Sequence, residues 1–399
     1  MFDLSTVRAS FPGVTDDDAY LDSAASAQKP APVLAALQHA YTNICANVHR
    51  GVHRRSQQAT QAFEAARKTA AAFIGGRSDE LVFVRGATEG LNLLANSLAA
   101  TRIGPGDEVV VTEMEHHANL VPWQMVCQRR GATLRAIPLT DEGALDLSTL
   151  DRLLGPKTTV LACVHASNTL GTINPISTLA AAAHAVGALC VVDGAQATPH
   201  IPVDVQALGV DAYVYSGHKI YGPTGIGALW ARRALLGELP PWQGGGDMIR
   251  TVALEQSTYN DVPFKFEAGT PHIAGAVGMA AAIRWLEGLG WAALQAHEDD
   301  LLQYAIAQLE TVPGVSRVGT AAPRVPLVTF VMEDFHAHDV GSILDSVGVA
   351  VRTGHHCTQP VMDRYDLAAT VRASFAAHSA RDEVDRLIRG LHHVREVLG

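Results

Sequence analysis

Residues 188–196 read ALCVVDGAQ, a short apolar run that ends on an aspartate and a glycine. Residues 211–219, DAYVYSGHK, follow the same order, with an apolar run and then a polar turn that ends at Lys219. Short continuous runs rich in Val are typical of strands buried on both faces of a parallel sheet. The two segments therefore predict neighbouring strands of such a sheet.

The same alternation of strands and helices extends outward from this pair. Further strands are expected in residues 80–84, 107–113, 158–167 and 225–233, with helices between them. From about residue 291 the pattern changes to a long helix, short strands and a closing helix. We expect an α/β protein with a large, mostly parallel sheet domain in residues 15–290. Residues 1–14 and 291–399 are expected to form a smaller α+β domain.

Composition excludes several classes of protein. The chain has 399 residues, is 48% hydrophobic and carries a formal net charge of −10. This balance is ordinary for a globular protein and disfavours a dedicated nucleic-acid binder, which needs a concentrated basic face. The first residues lack the apolar core of a signal peptide, and no uninterrupted apolar window reaches membrane-spanning length. We expect a cytoplasmic protein with neither nucleic-acid nor membrane partners.

Ligands of open parallel sheets bind at the carboxyl ends of the strands, where Asp193 and Lys219 lie. A buried carboxylate is costly without a cationic partner, and the pyridinium nitrogen of pyridoxal phosphate is such a partner. A lysine that is partly desolvated has a lowered pKa and becomes nucleophilic. Alone, Asp193 could cap a helix and Lys219 could be a solvated turn residue. Together they favour a pyridoxal phosphate site.

The segment RGATEG, residues 85–90, predicts a strand, a glycine turn and a helix. Amides at a helix N-terminus attract phosphate, and Thr88 adds a hydroxyl group there. Ser216 and His218, beside Lys219, could supply further donors. The segment is compatible with a phosphate site, although many turns share its pattern.

Cys357 lies in RTGHHCTQP, residues 352–360, and could be a metal ligand, a disulfide partner, a core residue or a nucleophile. The chain has five cysteines, and such an odd, sparse set argues against a disulfide framework. Zinc could in principle use His116, His117 and the GHHC segment, but the usual short ligand spacings are missing. No metal site is therefore expected. The polar surroundings of Cys357 disfavour a core role.

With these residues assembled, the chain resembles the group II (SUF-type) cysteine desulfurases and the related selenocysteine lyases. These are fold-type I pyridoxal phosphate enzymes, similar to class V aminotransferases. The resemblance runs nearly end to end. It rests on YLDSAASAQKP (20–30), NVHRGVHRRSQQAT (47–60), RGATEGLN (85–92), EHHANLVPWQ (115–124), SNTLGTINP (167–175), VDGAQATPH (192–200), YSGHKIYGPTGIGALW (215–230), GGGDMI (244–249), FEAGTPH (266–272), RTGHHCTQP (352–360) and RASFAAH (372–378).

The resemblance implies a role for each matched position. Lys219 bonds to the cofactor aldehyde, Cys357 is the nucleophile, and His116 stacks on the cofactor ring. Asp193 holds the ring nitrogen and Gln196 faces the phenolic oxygen. The other cofactor-binding residues are Thr88, Glu89, Ser216 and His218, with Thr270 reaching the phosphate of a partner subunit. Arg372, Asn168 and Arg352 bind the substrate.

The reaction implied is the conversion of L-cysteine to L-alanine, with the sulfur passed to Cys357 as a persulfide. A homodimer with a seven-stranded large sheet, and a sulfur-acceptor protein of an iron–sulfur assembly system, are implied as well. A selenocysteine lyase is the nearest alternative. An aminotransferase, an epimerase or a non-enzymatic scaffold on the same fold is a weaker one. The family usually has a Tyr-Asn pair where this chain has His378 and Ser379.

Overall fold

The computed structural model describes residues 2–399. Its strands are β1 (Ala19–Tyr20), β2 (Leu81–Val84), β3 (Glu108–Thr112), β4 (Thr133–Ile137), β5 (Thr158–Val164), β6 (Leu189–Asp193), β7 (Ala212–Ser216), β8 (Gly227–Ala231), β9 (Ile249–Val252), β10 (Ser257–Tyr259), β11 (Val315–Arg317), β12 (Leu327–Met332), β13 (Val349–Ala350), β14 (Arg352–Gly354) and β15 (Thr370–Ser374).

The helices are α1 (Leu4–Ala9), α2 (Ala31–Thr42), α3 (Arg54–Ala72), α4 (Ala87–Thr101), α5 (Val121–Arg130), α6 (Leu150–Leu153), α7 (Ile176–Ala185), α8 (Val205–Leu208), α9 (Arg233–Glu238), α10 (Ile273–Gly288), α11 (Trp291–Leu309), α12 (Ala337–Ser346), α13 (Gln359–Arg364) and α14 (Arg381–Leu398). Within residues 2–399, no helix combines the length and the apolar character that crossing a membrane requires.

The larger sheet has the strand order β2-β8-β7-β6-β5-β3-β4. Strands β3 to β7 run parallel to one another. Strand β8 is antiparallel to both of its neighbours, β2 and β7. The prediction of a mostly parallel, seven-stranded sheet is therefore confirmed. The carboxyl ends of β5, β6 and β7 lie side by side, which brings the segments after them together.

Both faces of this sheet are buried, as the Val-rich runs predict. In β3, Val110 packs into one apolar cluster, while Val109 and Val111 pack into the cluster on the opposite face. Successive side chains of a strand point to opposite faces, so only a strand covered on both sides needs an unbroken apolar run. This explains why the central strands lack the polar alternation of a half-exposed sheet.

The smaller sheet has the order β11-β12-β15-β14, with antiparallel neighbours throughout. The short strand β1 pairs with β13, and the Leu21 amide continues the pairing by donating to the Ala350 carbonyl at 2.9 Å. Asp22 bridges to Ser374 of β15. Residues 19–22 thus pack with the smaller sheet, although the sequence analysis assigns them to the large domain, whose boundaries stay a prediction.

The elements without a clear sequence signal are mostly peripheral. Strand β4 lies at the edge of the larger sheet and is largely exposed, so it lacks a continuous apolar run. The hairpin of β9 and β10 is also exposed along most of its length. Helix α10 is different, because small residues such as Ala and Gly fill most of its buried face. That composition carries a weak helical signal.

Gly227 and Gly86 bring β8 against the turn that precedes α4. A Cβ atom at residue 227 would lie 2.6 Å from the Tyr215 carbonyl oxygen and 2.7 Å from Gly86 Cα. Both neighbours are backbone atoms, so an alanine must displace the strand or the turn. We expect Gly227→Ala to lower the free energy of unfolding by roughly 1–3 kcal/mol, measured by denaturant unfolding.

The matched control is Gly237→Ala, in the exposed part of α9, where an added Cβ meets no atom within 4 Å. This change should leave stability unaltered or raise it by up to about 1 kcal/mol, because alanine is the better helix former. Equal effects of the two substitutions would contradict the close approach of β8 to the turn.

Candidate active site

A cavity of about 250 Å³ lies at the carboxyl ends of the central strands, between the two sheets. Its lining includes most of the residues that the sequence analysis selected. From the larger sheet and its turns come Thr88, His116, Asn168, Asp193, Gln196, Ser216, His218 and Lys219. Arg352, Cys357 and Arg372 enter from the smaller sheet, so the cavity joins both parts of the fold.

Asp193 and Lys219 face this cavity from neighbouring strands. Asp193 ends β6 and is 3% exposed, and its Oδ1 accepts a hydrogen bond from the Ala195 amide at 2.9 Å. Burial raises the pKa of Asp193, while that amide and the Lys219 charge oppose the rise. Burial lowers the pKa of Lys219 to about 8, against the attraction of Asp193. Lys219 Nζ donates to Gln196 Oε1 at 3.3 Å.

His116 is held in one tautomer at the edge of the cavity. Its Nδ1 accepts a hydrogen bond from the Ala118 amide at 3.0 Å, so the proton of the neutral ring resides on Nε2. Burial lowers the pKa of His116 to about 3, and the nearby Lys219 charge adds to the effect. At neutral pH the ring is therefore an uncharged donor through Nε2.

Glu115 fixes the backbone immediately before His116, and the sequence analysis gave it no role. Its buried carboxylate accepts hydrogen bonds from Thr112 Oγ1 at 2.6 Å, Asn119 Nδ2 at 2.6 Å and the Val164 amide at 2.7 Å. Burial raises the pKa of Glu115 to about 8, against these three donors. The carboxylate ties the end of β3 to the end of β5, which positions His116.

The end of the cavity expected to hold a phosphate is built from the turn before α4. Ser216 Oγ accepts a hydrogen bond from the Ala87 amide at 2.9 Å, which joins the start of α4 to the end of β7. Thr88 is exposed and also lines an outer cavity of about 660 Å³, together with Ser216 and His218. This end of the site therefore opens to the surface of the chain.

Glu89 and Thr270 are the two expected cofactor residues that do not line the central cavity. Glu89 instead accepts hydrogen bonds from the Arg85 amide at 2.5 Å and from Arg85 Nε at 3.1 Å. These two bonds close the turn before α4. Thr270 is exposed and lines a neighbouring surface cavity that Glu89 shares. Neither side chain lies with Lys219 in this chain.

Arg372 lies on β15 with its guanidinium fully buried, as expected for a carboxylate-binding residue. Part of it is already engaged, because Nη2 donates to Asp22 Oδ1 at 2.8 Å and Nη1 donates to the Asn168 carbonyl at 2.8 Å. Within residues 2–399, Arg372 Nε is buried without a hydrogen-bond partner. This free donor, on a cavity-lining residue, is available to an anionic ligand.

Cys357 lies in a short loop between β14 and α13, as the sequence predicts. Arg352 Nη2 is 3.6 Å from Cys357 Sγ. This contact places a cationic hydrogen-bond donor beside the sulfur. The side chain that contacts the sulfur is thus an arginine.

His356, beside Cys357, is poorly suited to remove a proton from it. The ring is buried, with Nε2 2.8 Å from Thr370 Oγ1. Burial lowers the pKa of His356 to about 2, and the charge of Arg372 adds to this. Such a ring is a very weak base at neutral pH. His356 therefore serves the packing of the loop.

The sequence analysis missed one further residue, Asp22, and singled out another, His378. Asp22, the partner of Arg372, has no sequence signal of its own, because 350 residues separate the two hydrogen-bonded side chains. His378, which departs from the family pattern, lies outside the cavity and packs edge-on against Phe11 at 4.9 Å between ring centroids. The departure therefore affects packing behind the site.

The donor set fits pyridoxal phosphate. A buried carboxylate with one amide partner suits a protonated ring nitrogen, and a lysine of lowered pKa suits an aldehyde. The α4 N-terminus with Thr88, Ser216 and His218 suits a phosphate group. In the part of the chain described, no cluster of three or more His, Cys, Asp or Glu side chains is placed to hold a metal ion.

Comparison with known proteins agrees with this site. The family model for class-V aminotransferases matches residues 19–387. Cysteine desulfurases from Escherichia coli strains SE11 and K12 are 50% identical to this chain over 100% of both lengths. The structure of the E. coli cysteine desulfurase CsdA, in an S-sulfonic acid form, has a TM-score of 0.94 and 37% identity, covering 100% of this chain and 99% of that chain.

A second solved structure, the apo cysteine desulfurase of Thermococcus onnurineus NA1, has a TM-score of 0.95 and 37% identity over 98% of both chains. The fold and the site thus define a pyridoxal phosphate-dependent enzyme of the class-V aminotransferase type. The E. coli relatives, which are 50% identical to this chain over its whole length, identify the family within that class. The chain belongs to the cysteine desulfurase family.

The lowered pKa of Lys219 leads to a test on the protein without cofactor. Below pH 8 the amine is protonated and unreactive, and above pH 8 it is neutral, whereas an ordinary lysine titrates at about 10.4. We expect the acylation rate of Lys219 to rise with pH and level off just above pH 8, as followed by mass spectrometry. Loading with pyridoxal phosphate should protect Lys219. A rise that continues to pH 10 would contradict the burial argument.

Proposed function

We propose that this enzyme converts L-cysteine to L-alanine and takes the sulfur onto Cys357 as a persulfide. The observation that carries the proposal is the presence of Lys219, Asp193 and Cys357 around one cavity. An aminotransferase would need the first two residues only. The contact between Arg352 and the Cys357 sulfur, at 3.6 Å, gives the third residue a chemical role.

Residues at the ends of four strands, β2, β3, β6 and β7, would hold the cofactor. Lys219 would bond to it covalently, Asp193 would partner its ring nitrogen, Gln196 would face its phenolic oxygen and His116 would stack on its ring. Thr88, Ser216 and His218 hold the phosphate at the start of α4. When bound, pyridoxal phosphate supplies an electron sink for negative charge that develops at the substrate α-carbon.

Substrate binding and proton transfer fall to different side chains. Arg372, through its free Nε, and Asn168, through its unpartnered Oδ1, bind the backbone groups of L-cysteine. Arg352, which contacts the Cys357 sulfur, lines the same cavity. Lys219, with a pKa of about 8, is suited to accept the α-proton at Nζ and return it. His116 lines this cavity too and offers its Nε2 proton.

The sulfur step forms one bond and breaks another. The Cys357 thiolate attacks the substrate sulfur, an S–S bond forms, and the electron pair of the C–S bond returns to the substrate. Protonation of the β-carbon, which carried the sulfur, completes L-alanine, and Cys357 is left as a persulfide. Arg352 stabilises the anionic sulfur before attack. No outside oxidant is needed, because the substrate carbon keeps the electron pair of the broken C–S bond and the sulfur moves to Cys357 at the oxidation level of S0.

The persulfide must be cleared by a second molecule. Cys357 is half-buried on a short loop and cannot travel far from the cavity. We propose that a dedicated acceptor protein comes to it and passes the sulfur to iron–sulfur cluster assembly. The cytoplasmic location stays a prediction, supported by five free cysteines, three of which are buried.

Replacement of Cys357 tests the sulfur step. We expect Cys357→Ala to keep the visible cofactor absorption but to form no protein-bound persulfide. Sulfide release from L-cysteine in the presence of reductant should fall at least about a hundredfold, because the nucleophile is gone. Release of selenium from L-selenocysteine should fall less, since selenium leaves more readily.

The matched control is Cys45→Ala, which removes an exposed cysteine far from the cavity lining. It should leave both rates unchanged. Sulfur transfer at the normal rate by Cys357→Ala would show that another group accepts the sulfur. Equal losses on L-cysteine and L-selenocysteine would mean that Cys357 does not distinguish a cysteine desulfurase from a selenocysteine lyase.

We also propose a homodimer in which Thr270 of a second copy completes the phosphate site. Two observations support this arrangement. Thr88 opens onto the outer cavity, so the phosphate end is incomplete within one chain. Thr270 is exposed and does not line the cavity that contains Lys219.

Thr270→Val should weaken cofactor binding while leaving the fold intact. The loss of one hydrogen bond to a charged phosphate corresponds to about tenfold or more in the dissociation constant, measured by titration of the cofactor absorption. Thr133→Val, at an exposed position of edge strand β4, is the control and should bind normally. A monomer at micromolar concentration by sedimentation would refute the arrangement.

A further inference from the structure

The backbone around Cys357 has an unusual conformation that something must maintain. His356 has a φ of 52° and Cys357 a φ of 60°, so two successive residues with side chains adopt the left-handed region. Such a conformation costs free energy for any residue other than glycine, and it persists only where the surroundings impose it. The neighbours of this loop are therefore part of how Cys357 is aimed.

His117 contacts the loop at Cys357 and again two residues after it. Its backbone amide donates to the Cys357 carbonyl at 2.7 Å. Its ring Nε2 accepts a hydrogen bond from the Gln359 amide at 3.1 Å. One residue at the end of β3 thus fixes the cysteine itself and the first residue of α13.

The remaining contacts hold the flanks of the loop. Asn168 Nδ2 donates to the His356 carbonyl at 2.7 Å, and Thr169 Oγ1 lies 2.6 Å from Thr358 Oγ1. Both partners come from the segment after β5. A side-chain substitution can remove the His117 ring bond without altering a cavity-lining residue.

We propose that His117 is a positioning residue for sulfur transfer, which holds Cys357 in its attacking place by bonding the loop at Cys357 and at Gln359. The inference rests on the proposed role of Cys357 as the sulfur acceptor. His117 itself need not touch the substrate or the cofactor. Its effect is to keep the left-handed turn in place, so that the sulfur remains beside Arg352 and within the cavity.

The chemistry of the ring supports this role. An imidazole nitrogen that accepts from an amide carries no proton, so His117 is neutral and protonated on Nδ1. Burial lowers the pKa of His117, and the charge of His355 adds to the effect. The neutral acceptor form is therefore the form present at neutral pH. His116 faces the cavity while its neighbour faces the loop, which gives the adjacent histidines separate tasks.

Two substitutions of equal length isolate the acceptor. In His117→Gln the amide Oε1 is the same number of bonds from the backbone as Nε2, whereas His117→Met places a methyl group there. We expect the methionine variant to form the Cys357 persulfide about tenfold more slowly in a single turnover, as for a buried amide left without its acceptor. The glutamine variant should recover to within about threefold.

Three further measurements separate positioning from a general loss of structure. Both variants should keep the cofactor absorption and the KM for L-cysteine, with the loss confined to kcat. Amide hydrogen exchange at Gln359 should accelerate by about tenfold in the methionine variant and stay slow in the glutamine variant. Alkylation of Cys357 by iodoacetamide in the holoenzyme should change in the methionine variant only.

Several results would overturn the proposal. Normal persulfide formation in His117→Met, or equal losses in both variants, would mean that the acceptor at this position does not matter. Loss of cofactor absorption or a raised KM would place His117 in the cofactor or substrate site instead. The exchange and alkylation readouts do not depend on turnover. They would still report on the loop if Cys357→Ala showed that the proposed sulfur acceptor is wrong.

Discussion

The burial of Asp193 is the constraint on which the rest of the site depends. A carboxylate that is 3% exposed with a single amide partner is unfavourable unless positive charge lies close by. Lys219 supplies that charge in the chain itself, and in the proposed cofactor site the ring nitrogen would supply it. The parallel arrangement of β6 and β7 is what brings the two residues to one edge of the sheet.

This constraint also explains the electrostatic pattern of the cavity. Burial lowers the pKa of Lys219 to about 8, so this amine can release its proton close to neutral pH, and burial keeps His116 a neutral hydrogen-bond donor. Two arginines, Arg352 and Arg372, enter from the smaller sheet. Lys219 and His116 thus face the cavity from the larger sheet, whereas both arginines and Cys357 face it from the smaller one.

Sequence patterns could predict the features that are local. Val-rich runs followed by polar turns identified the central strands, and the residues after them proved to line the cavity. Asp22 could not be predicted, because its pairing with Arg372 depends on how a segment near the N-terminus crosses to β15. Glu89 followed a strand like the others, yet its side chain turns back to Arg85. The edge strand β4 gave no continuous signal because, of its five residues, only Ile137 is buried.

The assembly of one cavity from two sheets links activity to the contact between them. Cys357, Arg352 and Arg372 all belong to the smaller sheet or its loops, while Lys219 and Asp193 belong to the larger. A separation of the sheets by a few ångströms would leave each sheet folded but would divide the reacting groups. The enzyme can therefore lose its sulfur chemistry on warming through a local opening, at temperatures where most of its secondary structure survives.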